Sequence, residues 1–246
     1  MKTQEHLTPF PSDLAVEGSQ DHESIRALAS RGCVALSDAL RDMNDPLMPT
    51  RAHGLISLKR LIEDGEEAVL RDWKHVLRLL EASLADTESY IYLSAINTLA
   101  ALASIKTEQV LPILLQAFEC EDRTLQERLN VAEAVARVSK SCDQSTLAIS
   151  SLAFPVFLRS ATSADDVLRV SSLSNLGFLC ARLGSSLAPF LEQVMHVADH
   201  AIRNDPSRDV RRAALLMLQL MLTGMQGSSF EVRVADVEQL VLINSH

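Results

Sequence analysis

One pattern recurs five times along this chain, and it leaves few folds open. Three copies are plain: Asp45-Pro46…Arg51-Ala52-His53-Gly54-Leu55…Leu58, Asp122…Arg128-Leu129…Ala132…Val135 and Asp205-Pro206…Arg211-Arg212-Ala213-Ala214-Leu215…Leu218. A fourth, Asp86…Tyr92-Leu93…Ala95-Ile96…Leu99, has an aromatic in place of the arginine, and a fifth opens at Ser163 with Arg169-Val170…Leu173…Leu176. Each copy has a capping residue followed six positions on by the arginine slot. Apolar slots stand ten and thirteen positions on, and also seven on in all but the last copy. Steps of three along one stripe are helical spacing. The copies start 41, 36, 41 and 42 residues apart. A helix pair of that length cannot bury its apolar face alone, but a stack of pairs buries a continuous core. The periodicity therefore predicts an all-α solenoid of the HEAT or armadillo kind, about five helix pairs long, with a C-terminal capping segment.

The breakers divide the chain accordingly. Residues 1–20, with Pro9, Pro11 and Gly18, read as a flexible tail. Residues 21–225 read as the array, in approximate repeats 21–64, 65–105, 106–141, 142–184 and 185–225. Residues 226–246, beyond the Gly224–Ser229 breaker, read as the capping segment. Single helices are expected at Asp21–Met43, Ala68–Leu84 and Ser185–Arg203, among others. Asp, Ser and Thr at the turns supply side-chain acceptors for free N–H groups at helix starts. Pro112, Pro155 and Pro189 fall inside first-of-pair helices, where proline removes a hydrogen bond and bends the axis; alternatively Pro112 and Pro189 lie within a helix's first turn or so, where proline is tolerated at little cost.

Chemistry is harder to find than architecture. The formal charge is −9, with one Trp and two Tyr. Phosphate attraction and stacking platforms are thus both thin, and direct nucleic-acid binding is not expected. The expected clients are proteins, particularly ones with basic segments. Cys33, Cys120, Cys142 and Cys180 form no CxxC pair and read as reduced thiols; Cys33 and Cys180 fall on apolar helix faces. The longest apolar stretch, Ala213–Leu222, is interrupted by Gln219 and far short of a bilayer span, so no integral membrane segment is expected. His196 and His200 stand four apart on a helix, but no third ligand is identifiable, and a solvated face is the better reading. No phosphate loop, nucleophile elbow or Cys/His pair is present. No catalytic residue, metal site or cofactor is assigned.

Two rows of residues remain. Arg51, Arg128, Arg169 and Arg211 occupy the arginine slot and are expected to form a structural ladder, bridging to a capping Asp or to a carbonyl of the neighbouring repeat. Positions eight, twelve and fifteen after each start hold His53, Ser57 and Arg60, then Ser94, Thr98 and Ala101. In the third and fourth copies they hold Asn130, Ala134 and Arg137, then Ser171, Asn175 and Phe178. Second helices line the concave face of most helical solenoids, which makes this row a candidate partner groove, chiefly His53, Ser57, Arg60, Ser94, Thr98, Asn130, Arg137, Ser171 and Asn175. An ordinary solvated face fits the same residues equally well.

Several blocks go beyond generic repeats: Arg51–Glu63 (RAHGLISLKRLIE), Asp86–Ala103 (DTESYIYLSAINTLAALA), Val110–Phe118 (VLPILLQAF), Ser171–Gly184 (SSLSNLGFLCARLG) and Asp205–Leu222 (DPSRDVRRAALLMLQLML). Together they resemble the C-terminal region of the transport-and-Golgi-organisation six family, which includes the RNA polymerase II assembly and nuclear-import factor. The resemblance implies a non-enzymatic scaffold of the cytoplasm that shuttles to the nucleus and whose partners are RNA polymerase II subunits or assembly chaperones. It implies, as the alternative, an adaptor in secretion and Golgi organisation at membrane surfaces. A basic amphipathic helix or lipid motif would favour the adaptor, and neither is visible. A helical-repeat enzyme would need catalytic or metal-binding side chains gathered on one face, and only His196 and His200 could begin such a set.

Overall fold

In the computed structural model, residues 17–141 and 146–225 are described. They form α1 (Glu17–Met43), α2 (Met48–Glu63), α3 (Glu67–Arg71), α4 (Trp73–Ser83), α5 (Ser89–Ile105), α6 (Thr107–Glu119), α7 (Leu125–Ser141), α8 (Thr146–Ser160), α9 (Asp166–Leu183), a 3₁₀ segment (Gly184–Phe190), α10 (Leu191–Asn204) and α11 (Arg208–Met225). No strand occurs among the described residues. The expected capping segment, residues 226–246, lies outside them.

The helices pack as consecutive pairs. The second helices α2, α5, α7, α9 and α11 stack on one another in chain order, and each packs against the first helix of its own pair. This is the all-α solenoid that the repeat spacing predicts. The ten- and thirteen-position slots are the reason: Leu55, Leu58, Ile96, Leu99, Ala132, Val135, Leu173, Leu176 and Leu218 are buried in the continuous core, with Leu215 half-buried against it. Burying one Leu side chain is worth about 1.5–3 kcal/mol, and the stripe repeats in every pair. Aromatics serve the first helices instead. Phe118 of α6 meets Phe157 of α8 with ring centroids 5.3 Å apart, and Phe154 of α8 stacks on Phe190 at 4.4 Å.

Turn chemistry starts the second helices. Asp45, Asp86 and Asp205 each accept a backbone N–H two residues on, at 2.8–2.9 Å. In the fourth copy the cap of α9 is Asp165, which accepts from Val167 and Leu168 N–H. At α7, Thr124 and Glu127 exchange hydrogen bonds in a capping box. The bonds from Thr124 hold the Glu127 carboxyl below the usual carboxylate range.

The structure departs from the sequence reading in places. α1 begins at Glu17 rather than Asp21. The single helix expected over Ala68–Leu84 is broken into α3 and α4 at Asp72, whose backbone sits at φ −97°, ψ 22° and ends one helix as it starts the next. The helix expected over Ser185–Arg203 opens with 3₁₀ geometry, since Gly184 leaves the helical region at φ +51° and Pro189 carries no N–H. Cys180 is buried as expected, but Cys33 is exposed on α1. Glycine sets how closely some helices approach. A Cβ on Gly54 of α2 would lie 2.6 Å from Met43 N and 2.7 Å from Ala39 O of α1. One on Gly224 of α11 would lie 2.3 Å from Ala181 O of α9.

Candidate partner-binding face

The arginine-slot side chains are taken up in hydrogen bonds, most of them half-buried. Arg169 makes a two-toothed ion pair to Asp205, the capping residue of the next repeat, through Nε at 2.7 Å and Nη2 at 2.9 Å. Its Nη1 donates to the carbonyls of Ser163 and Ala164. Arg51 reaches the equivalent Asp86 at 3.2 Å and the Pro46 carbonyl at 3.3 Å. Arg211 donates to the Asp205 and Pro206 carbonyls, and Arg128 Nε to the Phe118 carbonyl at 2.7 Å. The Arg169–Asp205 side chains are only 12% and 9% exposed. The hydrogen bonds that Arg169 donates to Asp205 raise the Arg169 pKa. Burial pushes the Asp205 carboxyl up, but the Arg169 hydrogen bonds, the Ser207 N–H and the two arginine charges outweigh it and hold the group below its ordinary value. Repeat-to-repeat carboxylate rungs thus join the first pair to the second and the fourth to the fifth. Between them Tyr92 fills the slot in the second copy, and Ser163 stands where Arg128 would need an aspartate.

The other row divides. Thr98 is 1% exposed, and its hydroxyl donates to the Ser94 carbonyl at 2.8 Å and lies 3.2 Å from the Leu55 carbonyl of α2. Asn130 is 4% exposed; its Nδ2 donates to the Leu84 carbonyl at 3.0 Å and its Oδ1 accepts from Gln126. Asn175 is also buried and donates to the Ser171 carbonyl. These three cannot line an open groove. The reason is angular: the outward row on the second helices is eleven positions after each start, at Ile56, Asn97, Glu133, Ser174 and Leu216. Position twelve is turned a further 100° toward the neighbouring second helix. Ala134, also at position twelve, is buried with them.

His53 and Arg60 are exposed, while Ser57, Ser94, Ala101, Arg137, Ser171 and Phe178 are half-buried. His53 Nδ1 lies 3.0 Å from Asp42 Oδ2 of α1, and Ser94 donates to the Tyr90 carbonyl. Arg137 pairs with Glu133 at 2.8 Å and bonds Asn97 across to α5. The residues that sequence reasoning missed are apolar and exposed: Ile56, Tyr90, Leu93, Ile105, Val167 and Leu216. Leu, Ile and Val are assigned inward by default; all of these but Leu93 lie off the seven-, ten- and thirteen-position slots, a signal that the spacing does carry, whereas Leu93 sits in a seven-position slot and is exposed against expectation. Shallow grooves run between the second helices. One of about 390 Å³ is lined by Lys59, Glu63, Asn97, Ala100, Ala101, Ser104, Ile105 and Arg137. Another of about 320 Å³ lies between α9 and α11. Among the described residues no three His, Cys, Asp or Glu side chains gather as a metal ion would require, and no helix is long and apolar enough to cross a membrane.

Comparison with known proteins agrees with the blocks read from the sequence. The family model described as "Required for nuclear transport of RNA pol II C-terminus 1" matches residues 36–145. Transport and Golgi organization protein 6 of Drosophila melanogaster is 23% identical over 176 residues, covering 72% of this chain and 19% of that protein. RNA polymerase II assembly factor RTP1 of Saccharomyces cerevisiae is 29% identical over 83 residues, covering 34% of this chain and 8% of that protein. The chain therefore spans a fifth or less of the curated relatives it matches. Among solved structures, a Kap121p mutant superposes with a TM-score of 0.57 at 12% identity, covering 96% of this chain and 25% of that one, a likeness of fold. The chain resembles the transport-and-Golgi-organisation six proteins and folds as a HEAT-type solenoid.

Proposed function

We propose that this chain is a non-enzymatic helical scaffold that holds protein partners during assembly and nuclear import of RNA polymerase II. The observation that carries the proposal is the similarity to a polymerase assembly factor and to a family model named for polymerase transport. The architecture suits such a role, because a stacked array offers a long surface on which many weak contacts add up to recognition without chemistry. On this reading the partners are polymerase subunits or their chaperones, met in the cytoplasm, with the complex passing to the nucleus. His53, Ser57, Arg60, Ser94, Arg137 and Ser171 contribute to the partner face, while Arg51 and Arg169 tie their repeats to the next and Arg128 and Arg211 brace the turns of their own repeats. A role in secretion and Golgi organisation is the second reading, and the name of the fly relative favours it.

The two separate by affinity purification of the chain from cell lysate, followed by mass spectrometry. Polymerase II subunits and their chaperones should be enriched and should fall away when Arg60 and Arg137 are both changed to Glu, with helix content unaltered. Coat or Golgi proteins without polymerase would put the adaptor role in first place. Unaltered capture by the double variant would remove these arginines from the partner face.

A further inference from the structure

The arginine–aspartate ladder breaks between the third and fourth repeats, where only the anion is missing. Asp45, Asp86 and Asp205 open their repeats with a side-chain oxygen that accepts the backbone N–H two residues on. Ser163 Oγ accepts from Asp165 N–H in the same way, at 3.4 Å. Ser163 also follows Arg128 by the same 35 positions that separate Arg51 from its partner Asp86. The hydroxyl therefore takes the carboxylate's place without its charge. Across the junction, Arg128 donates Nε to the Phe118 carbonyl and lies 5.8 Å from the Phe118 ring centroid, while neither Nη bonds a described residue. A guanidinium presents its donors as a planar fork suited to a two-oxygen anion. The edge of that fork which Arg169 turns on Asp205 is unused at Arg128.

Ser163 stands where an enzyme can reach it. It lies half-buried in the turn between α8 and α9, with exposed Thr162 and Ala164 on either side. Asp165 and Asp166 follow two and three positions on, and acids so placed suit a kinase with a basic substrate groove. The product is also well placed. A serine oxygen falls one bond short of where an aspartate oxygen stands, and a phosphate oxygen reaches one bond beyond it. A second cation already faces the site, since Arg169 Nη1 donates to the Ser163 carbonyl at 2.9 Å. The two opposing carboxylates are both engaged: Asp165 caps α9 through Val167 and Leu168 N–H, and Asp166 accepts the Ser207 hydroxyl.

We propose that Ser163 is a phosphorylation site whose phosphate closes the missing rung to Arg128. Ser163 Oγ attacks the γ-phosphorus of ATP. The new O–P bond forms as the bridging O–P bond to ADP breaks, and the hydroxyl proton passes to the kinase's base. The phosphate then pairs with the Arg128 fork through charge-assisted hydrogen bonds. Of the contacts between second helices, α7 on α9 is the sparsest, and each junction of a stacked array is held only by its immediate neighbours. Phosphorylation thus stiffens the array where it is least supported and fixes how the first three repeats sit on the last two. The inference holds whichever partner the array carries.

The test treats the purified 246-residue chain with ATP and an acid-directed serine/threonine kinase and maps the phosphate by mass spectrometry. Ser163 should be modified, and Ser163→Ala should take up no phosphate in the α8–α9 turn. Hydrogen exchange in that turn and the first turn of α9 should slow by about fivefold or more. Protection should also rise in the first turns of α7, which a phosphate acting only on its own helix would leave unchanged. The gain should vanish in Arg128→Gln, which keeps an N–H donor for the Phe118 carbonyl but loses the charge. If Arg128→Gln fails to fold by circular dichroism, the α7 readout in the phosphorylated wild type decides. Phosphate on Thr162 alone or nowhere in the turn, protection unchanged or reduced, a gain confined to α9, or an equal gain in Arg128→Gln would overturn the inference.

Discussion

Replacing Gly54 with alanine tests the packing of the array at one atom. In an unconstrained helix this change is stabilising by about 1 kcal/mol, because glycine loses more backbone freedom on folding. Here the new Cβ would fall 2.6 Å from Met43 N, 2.7 Å from Ala39 O and 3.0 Å from Asp42 C, all main-chain atoms of α1. No rotamer change relieves such a clash. α1 must withdraw by about 0.8 Å to restore an ordinary contact, loosening Leu36 and Ala39 with it. Overpacking against rigid backbone costs about 1–3 kcal/mol. We take the upper half of that range and subtract the propensity gain, which leaves a net loss of about 1–2 kcal/mol. Each pair in a solenoid touches only its neighbours, so the loss should stay local. Hydrogen-exchange mass spectrometry should show protection falling about 5–30-fold in α1 and α2, with α9 and α11 unchanged. A gain in protection, or a uniform loss along the chain, would refute the account of this crossing. Gly177→Ala should be milder, because its Cβ would meet Leu220 Cδ1 at 3.0 Å and Met217 Cα at 3.1 Å, which a shift of a few tenths of an ångström relieves.

Three further outcomes follow from the buried polar groups and thiols. Asn130→Leu leaves the Leu84 carbonyl without its donor at the end of α4; chemical denaturation should show a loss of about 1–3 kcal/mol. Asp205→Ala strands Arg169 with its side chain 12% exposed and should cost about 3 kcal/mol at neutral pH. The folded Asp205 carboxyl titrates below its ordinary value. Its contribution is therefore complete above about pH 4 and fades as pH falls through the lowered value, so wild type and Asp205→Ala should converge in acid. Burial pushes the Cys180 thiol up to about 12, so iodoacetamide at mildly alkaline pH should modify exposed Cys33 and spare Cys180 until denaturant is added.

The fold is legible because it is written in spacing. Slots ten and thirteen positions after each start alternate with turn residues every forty or so, and stacking is the arrangement that buries such stripes. The arginines are legible for a related reason: Arg169 and the next capping residue, Asp205, sit at fixed positions in consecutive copies, so the period itself brings them within bonding distance. The open face is less so. Polarity assigns Thr98, Asn130 and Asn175 outward, yet each lies one residue past the outward row and is buried; Thr98 lies against the Leu55 carbonyl of α2, Asn130 bonds the Leu84 carbonyl, and Asn175 bonds back to the Ser171 carbonyl of its own helix. A 100° error on a helix separates solvent from interface, and composition cannot correct it, since a buried amide bonded to a carbonyl is as stable as an exposed one.

Helical class, the number of stacked pairs and the family resemblance are all set in the linear chain, because they depend on period and on residue identity. Which second-helix residues meet solvent, and how close neighbouring helices come, emerge only once the helices are packed. So does the placing of an uncharged helix between Lys59 and Arg137. Those facts depend on the rotation of each helix about its axis and on contacts between residues about forty positions apart, neither of which a linear pattern specifies.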